Sequence, residues 1–557
     1  MWDVSRESRH EVAPSHVRLH YERAKMLCQA SGLTVDDIHY LTPRFWQYHF
    51  ELISVRDPAA FTITSIHLNL CIGSIARALE HRQNLVGILE DLQTFNVCGE
   101  FMLTEIGHGL DVRNLETTAA MLEDGSFVLN TPTLGAAKFM PPTTPLAGVP
   151  RLAVVFARLI VQGEDRGVKQ FFVPLCDADR MLPGVVSRAL PIRPGTKPLD
   201  HAVTIFDHVR LRADALLGSP QKAEGERADF LDQIWRVSVG TLSLSIAGIA
   251  AMKIAGPIAA IYSQRRRVGV GRDGKTMPIL GFSTQQRPIL KSLAHAEVLH
   301  AYAQWTIQEF MNTSRDLDVR RGLAAAFKAL VLRSAGVMTQ LVERCGAQGL
   351  FAHNQINEMA LFFQGNSIAE GDTQVLCIRL ASEILFGKYA LPEPRDGSSP
   401  LAQYEVGLFE EATLKMFAMD GAQRSESFDA HILPRCRTLI ETIGQRMAYE
   451  AALQSEDVSP EVLDVFAMSC MLEDPSWFVE HGNRTRTQMR DDEERAYAKL
   501  LPMLPMLPEL VERTGAKDYI TAPIVDEDSL KNFVLSLQTF GGKNEAVLGD
   551  LPIQSKL

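Results

Sequence analysis

The chain has 557 residues, of which 46% are hydrophobic and 22% charged, and its 56 basic and 67 acidic side chains give a formal net charge of −11. A chain of this length exceeds what one hydrophobic core fills, so we expect several domains. The composition is typical of a globular protein, and the acidic balance gives no support to nucleic acid as a partner.

The first part of the chain, residues 1–96, carries apolar residues at helical spacing and predicts an N-terminal helical domain. Its charged start has no apolar stretch behind it, which argues against a secretory signal. Residues 97–222 change to short β-type runs, and Asp124-Gly125 between two of them predicts a hairpin. We expect a small central β domain there, a barrel or a sandwich.

Helical periodicity returns over 223–395 and continues over 396–557, so we predict two further helical domains. Residues 391–400 read as a linker, and "LPMLPMLPEL" reads as a connection punctuated by proline. Residues 238–262 are long enough to span a membrane. Lys253 would cost about 3 kcal/mol in lipid, and Pro257 interrupts the run, so we interpret this segment as a buried helix.

The eight cysteines are widely spaced and form no C-x-x-C pair, so we expect neither a disulfide framework nor a metal site. Reduced thiols fit an intracellular protein. The last three residues, Ser555, Lys556 and Leu557, match the address that the peroxisomal import receptor reads. We therefore predict a peroxisomal protein.

A carboxylate followed by glycine, Glu370-Gly371, precedes a predicted helix. Asp372 or Thr373 can cap that helix, and its predicted apolar face consists of Val375, Ile378, Ala381 and Ile384 or Leu385. Two interpretations of Glu370 stay open. It is either a solvated residue ahead of the cap or a base held over an apolar pocket formed by Ile368 and Ala369.

Three other segments each allow a structural and a functional interpretation. "TEIGHG", residues 104–109, is a plain turn or a loop that lets a planar cofactor or a phosphate approach the backbone. The three arginines of "YSQRRRV" are a solvated helix end or a pyrophosphate site. "CGAQG", residues 345–349, is a helix C-cap or a place where a nucleotide lies against the backbone.

Taken in order, these segments resemble the acyl-CoA oxidase and acyl-CoA dehydrogenase superfamily, with the peroxisomal acyl-CoA oxidases closest. "TEIGHGLDVRNLETTA" fits the oxidase pattern TE-x-GHG-x-x-x-R-x-LETTA, and "LNTP", Lys138, "YSQRRR", "GFSTQQ", "CGAQG" and the Glu-Gly pair follow in the same order. The resemblance covers about residues 50 to 390, and more loosely the C-terminal helices.

The resemblance implies a mainly α fold with a central β domain, namely an N-terminal helical domain (1–96), a β-barrel or sandwich (97–222), a four-helix bundle (223–395) and an oxidase-type C-terminal helical domain (396–557). It also implies FAD as cofactor, an acyl-CoA substrate, O2 as electron acceptor and a homodimer or homotetramer with FAD bound across a subunit interface. The implied reaction is α,β-desaturation, with hydride transfer to flavin N5 and formation of H2O2.

The resemblance also implies site residues. Glu370 falls at the position of the catalytic base, whose own backbone N–H, together with a flavin ribityl hydroxyl, would bind the thioester carbonyl. The implied cofactor contacts are Thr104 and Gly109 near the flavin ring, Arg266 at the pyrophosphate from the neighbouring subunit with Gln286 in the same contact, Gly346 and Gly349 on the adenosine side, and Gln374 after the base.

Three motifs depart from the oxidase pattern. "KWWPGG" is replaced by the longer "KFMPPTTPLAGVP", "FQTQQ" by "FSTQQ", and "CGGHGY" by "CGAQGL". These departures indicate a divergent member, and a substrate from specialised metabolism is one interpretation. Two alternatives stay open: a related flavin dehydrogenase or tailoring oxidase with another acceptor or a non-CoA substrate, and a non-catalytic protein that binds CoA esters.

Overall fold

The structure is a computed structural model that describes residues 13–269, 274–419, 425–513, 515–540 and 546–547. The predicted import signal at Ser555 to Leu557 lies outside the described residues. The predicted order of helical, β, helical and helical segments is confirmed. The fold is acyl-CoA dehydrogenase-like with a second C-terminal helical domain, whereas the exact domain boundaries stay predictions.

Seven α-helices form the N-terminal part. Between α5 and α6 the chain forms one segment of π-helix, Ile66–Ile72. Such wide turns are rare and occur often at functional sites. The helices are α1 Pro14–Ser31, α2 Val35–Tyr40, α3 Pro43–Phe50, α4 Ile53–Arg56, α5 Pro58–Ser65, α6 Gly73–Ala76 and α7 Val86–Gln93.

Two sheets form the central β part. In the larger sheet β5 pairs along its length with β6, while β1 and β2 pair in parallel with its first and second halves, and β3 and β9 follow β2. The smaller sheet has the order β4-β8-β7. The strands are β1 Cys98–Met102, β2 Thr118–Met121, β3 Phe127–Asn130, β4 Lys138–Pro142, β5 Arg151–Val161, β6 Glu164–Cys176, β7 Val185–Ala189, β8 His201–Phe206 and β9 Val209–Leu211.

The hairpin predicted at Asp124-Gly125 is confirmed, because β2 and β3 pair antiparallel around it and Gly125 has φ 80°. The long strands β5 and β6 are buried on both faces, which explains their nearly continuous apolar sequence. The β part therefore has its own apolar core, formed by residues such as Phe127, Phe171 and Phe206, beside the larger core of the helices.

Eight helices follow the β part. Helices α10, α11 and α12 pack against one another, and a short two-stranded pair, β10 Arg267–Gly269 with β11 Thr276–Pro278, joins α10 to α11. The helices are α8 Glu226–Gln233, α9 Trp235–Ser243, α10 Ala247–Arg265, α11 Ser283–Met311, α12 Leu317–Ala335, α13 Val337–Arg344, α14 Ile356–Asn366 and α15 Thr373–Leu385.

The C-terminal helices pack on this group, with α18 and α19 against α11. The segment predicted as a connection is helical instead, since residues 501–506 form a 3-10 helix that leads into α22. The elements are α16 Pro400–Phe417, α17 Glu426–His431, α18 Cys436–Leu453, α19 Pro460–Met471, α20 Pro475–Glu480, α21 Arg486–Leu500, α22 Leu507–Arg513, α23 Glu527–Leu535, β12 Thr539–Phe540 and β13 Ala546–Val547.

Helix α15 begins as predicted, because the Asp372 side chain caps it by accepting the N–H of Val375 at 3.1 Å. The predicted apolar face is wrong at its start: Val375 is 39% exposed. Helix α18 packs against α15, and the buried side of α15 includes Ala381, as predicted, together with Cys377 and Leu380, which were not predicted. The face that Val375 occupies is therefore exposed.

By length and composition alone, three stretches of the described chain could cross a membrane: 58–81, 235–265 and 317–344. The share of the most apolar window that is buried within the protein is 89%, 83% and 78% for these stretches, in that order. The residues weighed as a span, 238–262, belong to the second stretch. Their burial against neighbouring helices accounts for their apolar sequence.

Candidate active site

Glu370 lies in the turn between α14 and α15 with a backbone φ of 52°, and Gly371 follows at 96°. A left-handed backbone is uncommon for residues other than glycine and occurs often at functional sites. A Cβ on Gly371 would also lie 3.0 Å from Leu376. The turn therefore explains why a glycine follows the glutamate.

The Glu370 carboxylate lies against the backbone of Gly240 in α9. A Cβ at Gly240 would sit 1.1 Å from Glu370 Oε2, so only glycine leaves room for the carboxylate in this position. Asn69 of the π-helix donates from Nδ2 to Glu370 Oε2 at 3.4 Å. The turn, α9 and the π-helix thus meet at one carboxylate.

Two buried cations accompany this carboxylate. Arg236 is 4% exposed, donates to the carbonyls of Asn69 and Ile38, and lies 5.9 Å from the centre of the Phe45 ring. Lys328 of α12 is 2% exposed. Burial lowers the pKa of both cations.

Burial raises the pKa of Glu370 to about 8, although Lys328, Arg236 and the hydrogen bond from Asn69 all act to lower it. The ordinary pKa of a glutamate is about 4.3. A carboxylate with this pKa can hold or release a proton near neutral pH, as a general base requires.

The predicted source of this burial is wrong. Ile368 is 68% exposed and Ala369 is also exposed, so neither side chain covers the carboxylate. The turn directs them outward, and the covering groups are Gly240, Asn69 and Arg236 instead.

Thr104 and Gly109 lie in the loop after β1. The backbone carbonyl of Thr104 accepts the N–H of Phe139 at 3.0 Å. The side chain of Thr104 does not take part in this bond, and the residue is half-buried. Gly109 is exposed, and a Cβ there would meet nothing within 4 Å. The structure thus keeps both residues accessible to a ligand, and their flavin contacts stay predictions.

The spacing of "TE…LETTA" has a structural reason in Glu105. Its buried carboxylate accepts the N–H groups of Glu116 and Thr117 at 2.7 and 3.0 Å and pairs with Lys138 Nζ at 3.0 Å. His108, between the two glycines, bonds Glu116 through Nε2 at 3.0 Å. The motif therefore fastens the loop to β4 and presents Thr104 beside it.

The three arginines at the end of α10 differ in their partners. Arg265 donates to the Ile524 carbonyl and Arg267 to Thr276, while Arg266 is exposed and its guanidinium has no partner within the described part of the chain. Nearby, Gln286 Nε2 donates to the Leu280 carbonyl at 2.9 Å. Arg266 is thus the arginine that remains available to an anion.

The remaining predicted cofactor contacts, Gly346, Gly349 and Gln374, differ in their exposure. Gly346 is exposed with φ 58° and open space around its Cα, and Gln374 is exposed in the first turn of α15. Gly349 is buried, and a Cβ there would lie 2.1 Å from the Val342 carbonyl oxygen. Packing therefore already accounts for Gly349, and the nucleotide contacts of all three residues stay predictions.

The sequence interpretation missed the surroundings of Glu370. Asn69 in "IHLNLCI" and Lys328 in "AAAFKALVL" could have been recognised as candidate site residues, because each is a polar residue inside an apolar run. Gly240 and Thr241 had no such signal. Among the described residues, no group of three or more His, Cys, Asp or Glu side chains could hold a metal ion.

The fold and this site define a class: a protein with an acyl-CoA dehydrogenase-like fold, a second C-terminal helical domain and a half-buried glutamate ahead of α15. Residues 241–385 match the family model of the acyl-CoA oxidase C-alpha1 domain. The predicted resemblance to the acyl-CoA oxidases is therefore confirmed, and the matching model covers this part of the chain.

Two curated relatives agree. Peroxisomal acyl-coenzyme A oxidase 2 of Arabidopsis thaliana is 27% identical over 322 residues, which is 53% of this chain and 46% of that protein. Acyl-coenzyme A oxidase acox-1.4 of Caenorhabditis elegans is 28% identical over 311 residues, or 51% and 46%. The chain thus spans about half the length of these relatives.

Two solved structures share the fold. Acyl-CoA oxidase 1 of Yarrowia lipolytica has a TM-score of 0.77 at 21% identity, covering 94% of this chain and 86% of that one. Acyl-CoA oxidase-1 of Caenorhabditis elegans, complexed with FAD and ATP, has a TM-score of 0.76 at 18% identity, covering 94% and 87%.

Proposed function

We propose that the protein is an FAD-dependent acyl-CoA oxidase that introduces an α,β-double bond into an acyl-CoA thioester. The observation that carries the proposal is the Glu370 turn: a carboxylate with a pKa of about 8, held against Gly240 and hydrogen-bonded by Asn69. The matching family model and the oxidase names of the relatives support the same reaction.

In this proposal Glu370 is the general base. It removes the α-proton of the thioester, an acid too weak to react without stabilisation of the developing enolate. The backbone N–H groups of Glu370 and Gly371 donate to no acceptor within the described part of the chain. They are therefore available to the thioester carbonyl, as the resemblance implies for the N–H of the base.

The residues present fit FAD. Arg266 offers an exposed guanidinium, with no partner among the described residues, for a pyrophosphate, and Gly346 offers open backbone for the adenosine side. Gln286 would belong to the same contact as Arg266. Thr104 and Gly109 would face the ring, and Gln374 would follow the base. FAD, when bound, supplies the acceptor for the β-hydrogen as hydride and passes two electrons to O2.

Replacing Arg266 with glutamine should weaken FAD binding about 10- to 150-fold, since a charge-assisted hydrogen bond contributes about 1.5 to 3 kcal/mol. The measurement is flavin absorbance per protein after dialysis, together with titration of the apoprotein. Arg267→Gln is the matched control, because Arg267 is already bound to Thr276. Equal FAD affinity in wild type and Arg266→Gln would remove Arg266 from the cofactor site.

The pH dependence of kcat/KM should have an ascending limb near pH 8. Below this pH Glu370 is protonated and cannot accept the α-proton, so the rate should fall about tenfold for each pH unit. A profile of kcat/KM measured from about pH 4 to about pH 9 reports the pKa of this group in the free enzyme. A limb near pH 4 to 5, the ordinary range of a glutamate, would contradict the shifted pKa.

The names of the relatives, several of them peroxisomal, support a peroxisomal location together with the C-terminal Ser555-Lys556-Leu557. In that compartment O2 is the proposed acceptor and H2O2 the product. We also propose a homodimer or homotetramer, in which Arg266 and Gln286 of one subunit meet the FAD of its neighbour.

A panel of saturated acyl-CoAs tests the proposed function in air. The expected result is one H2O2 and one 2-enoyl-CoA for each acyl-CoA consumed. Enoyl-CoA formed only with an added electron acceptor would identify a dehydrogenase instead. A flavin-containing protein that consumes none of the panel would point to a non-CoA or specialised substrate, and a protein that binds CoA esters but no FAD would be non-catalytic.

A further inference from the structure

We infer that Lys328 and Thr241 are positioning residues that hold the Glu370 turn by its carbonyls and so turn its N–H groups toward the substrate. The inference rests on the proposed function, since it assigns these residues a part in the same reaction. Neither residue touches the proposed substrate or cofactor; each acts through the backbone that carries the base.

The observation is a set of three consecutive carbonyls. Lys328 Nζ donates to the carbonyl oxygens of Ala369 and Gly371, at 2.6 Å each. Thr241 Oγ1 lies 2.8 Å from the Glu370 carbonyl oxygen. All three carbonyls of the base-bearing tripeptide are therefore bound by side chains of the bundle.

This arrangement fixes the direction of the peptide planes. A peptide group is planar and its C=O and N–H point in opposite directions. With the carbonyls directed at Lys328 and Thr241, the N–H groups of Glu370 and Gly371 face away from the bundle, where no described residue accepts them. Two unpaired donors on one turn are suited to a carbonyl that gains negative charge.

Burying the charge of Lys328 costs free energy, which a merely structural role would not require. Lys328 is 2% exposed, and among the described residues it donates hydrogen bonds to the Ala369 and Gly371 carbonyls, while the Glu370 and Asp372 carboxylates act on it through charge without a direct ion pair. A buried charge costs several kcal/mol unless it is paired or well hydrogen-bonded. We infer that this charge is kept because it holds the carbonyls of a left-handed turn that carries the base.

Thr241 provides the third hydrogen bond to the turn, through the one proton of its hydroxyl. Its hydroxyl is also 2.9 Å from the Val237 carbonyl of its own helix, so one proton serves either acceptor. A valine of the same shape would remove the donor, whereas a serine would keep it. This pair of variants therefore separates the hydrogen bond from packing.

The charged and polar groups that face the Glu370 carboxylate are Lys328 from α12, Arg236 from α9 and Asn69 from the π-helix. Each acts to lower the pKa of Glu370. Removal of Lys328 should therefore move the ascending limb of the pH profile to higher pH by about one pH unit. Loss of packing alone would admit water to the carboxylate and move that limb to lower pH instead.

The experiment compares Lys328→Met, Thr241→Val and Thr241→Ser in the FAD-loaded enzyme. We expect kcat to fall about 10- to 100-fold in Lys328→Met and about tenfold in Thr241→Val, with KM little changed and Thr241→Ser near wild type, because misplaced donors affect the reacting state most. Hydrogen exchange of a peptide covering residues 365–373 should be faster in Lys328→Met without any substrate present.

Two variants serve as matched controls. Lys253→Met removes a half-buried lysine of the bundle, and Thr306→Val removes a buried hydroxyl that donates to the Tyr302 carbonyl of its own helix. Both should keep wild-type kcat and wild-type exchange in the 365–373 peptide. If Lys328→Met does not fold, the contrast between valine and serine at position 241 decides.

Unchanged exchange, or unchanged kcat and pH limb in both Lys328→Met and Thr241→Val of an active enzyme, would overturn the inference alone. A wild type that oxidises no acyl-CoA would overturn the proposed function, and the positioning role with it. Faster exchange, lower kcat and a shifted limb together would establish the two residues as a clamp on the base.

Discussion

Replacing Glu370 with glutamine should lower kcat by about four orders of magnitude, the upper range for removal of a general base. Glutamine keeps the size of the side chain but accepts no proton. The side chain also loses the negative charge that faces Lys328 and Arg236. FAD content and acyl-CoA binding should persist, so the loss should appear in kcat and hardly in KM.

The control for this variant is Glu480→Gln, which makes the same chemical change at an exposed carboxylate of the C-terminal helices. It should behave as wild type. The decisive measurement is single-turnover reduction of the flavin under anaerobic conditions, since it isolates the chemical step from reoxidation. A Glu370→Gln enzyme that turns over within tenfold of wild type would remove Glu370 from the role of base.

Replacing Gly240 with alanine should lower kcat by about 100- to 1,000-fold. The new Cβ would occupy the place of Glu370 Oε2, from which it would be separated by only 1.1 Å. The carboxylate must then move by more than an ångström, and displacements of about 1 Å cost about 100-fold in catalysis. The hydrogen bond from Asn69 would be lost in the same movement.

This change should alter stability little, because alanine within a helix is favoured over glycine by about 0.5 to 1 kcal/mol, which offsets the loss of one hydrogen bond of about 0.5 to 1.5 kcal/mol. Steady-state kinetics together with thermal unfolding therefore separate loss of function from loss of fold. Gly256→Ala is the control, since its Cβ would meet Leu293 only at an ordinary 3.4 Å. A fully active Gly240→Ala enzyme would show that the carboxylate works from a different position.

The order of helices and strands could be predicted because hydrophobic periodicity is a local property. The hairpin at Asp124-Gly125 and the cap at Asp372 were predicted for the same reason. The orientation of α15 was missed at Val375, because the choice between two partly apolar faces depends on α18, which lies far along the chain. Local pattern does not report such a partner.

The same limit applies to the site. Glu370 was identified from a motif, whereas Asn69 and Thr241, which hold it, lie 301 and 129 residues away in sequence. Their roles arise from packing between α9, the π-helix and the turn. The reason for a glycine at position 240 becomes clear only from the structure, in which the Glu370 carboxylate lies against it. The source of the raised pKa was likewise invisible until Ile368 was seen to face outward.

The central claim is that this chain oxidises acyl-CoA through its flavin and O2. The most direct measurement is the visible spectrum of the purified protein without oxygen while saturated acyl-CoAs are added, followed by admission of air. The account predicts that the flavin band bleaches and then returns with formation of H2O2. A flavin band that no acyl-CoA bleaches, or one that bleaches and stays bleached in air, would contradict it.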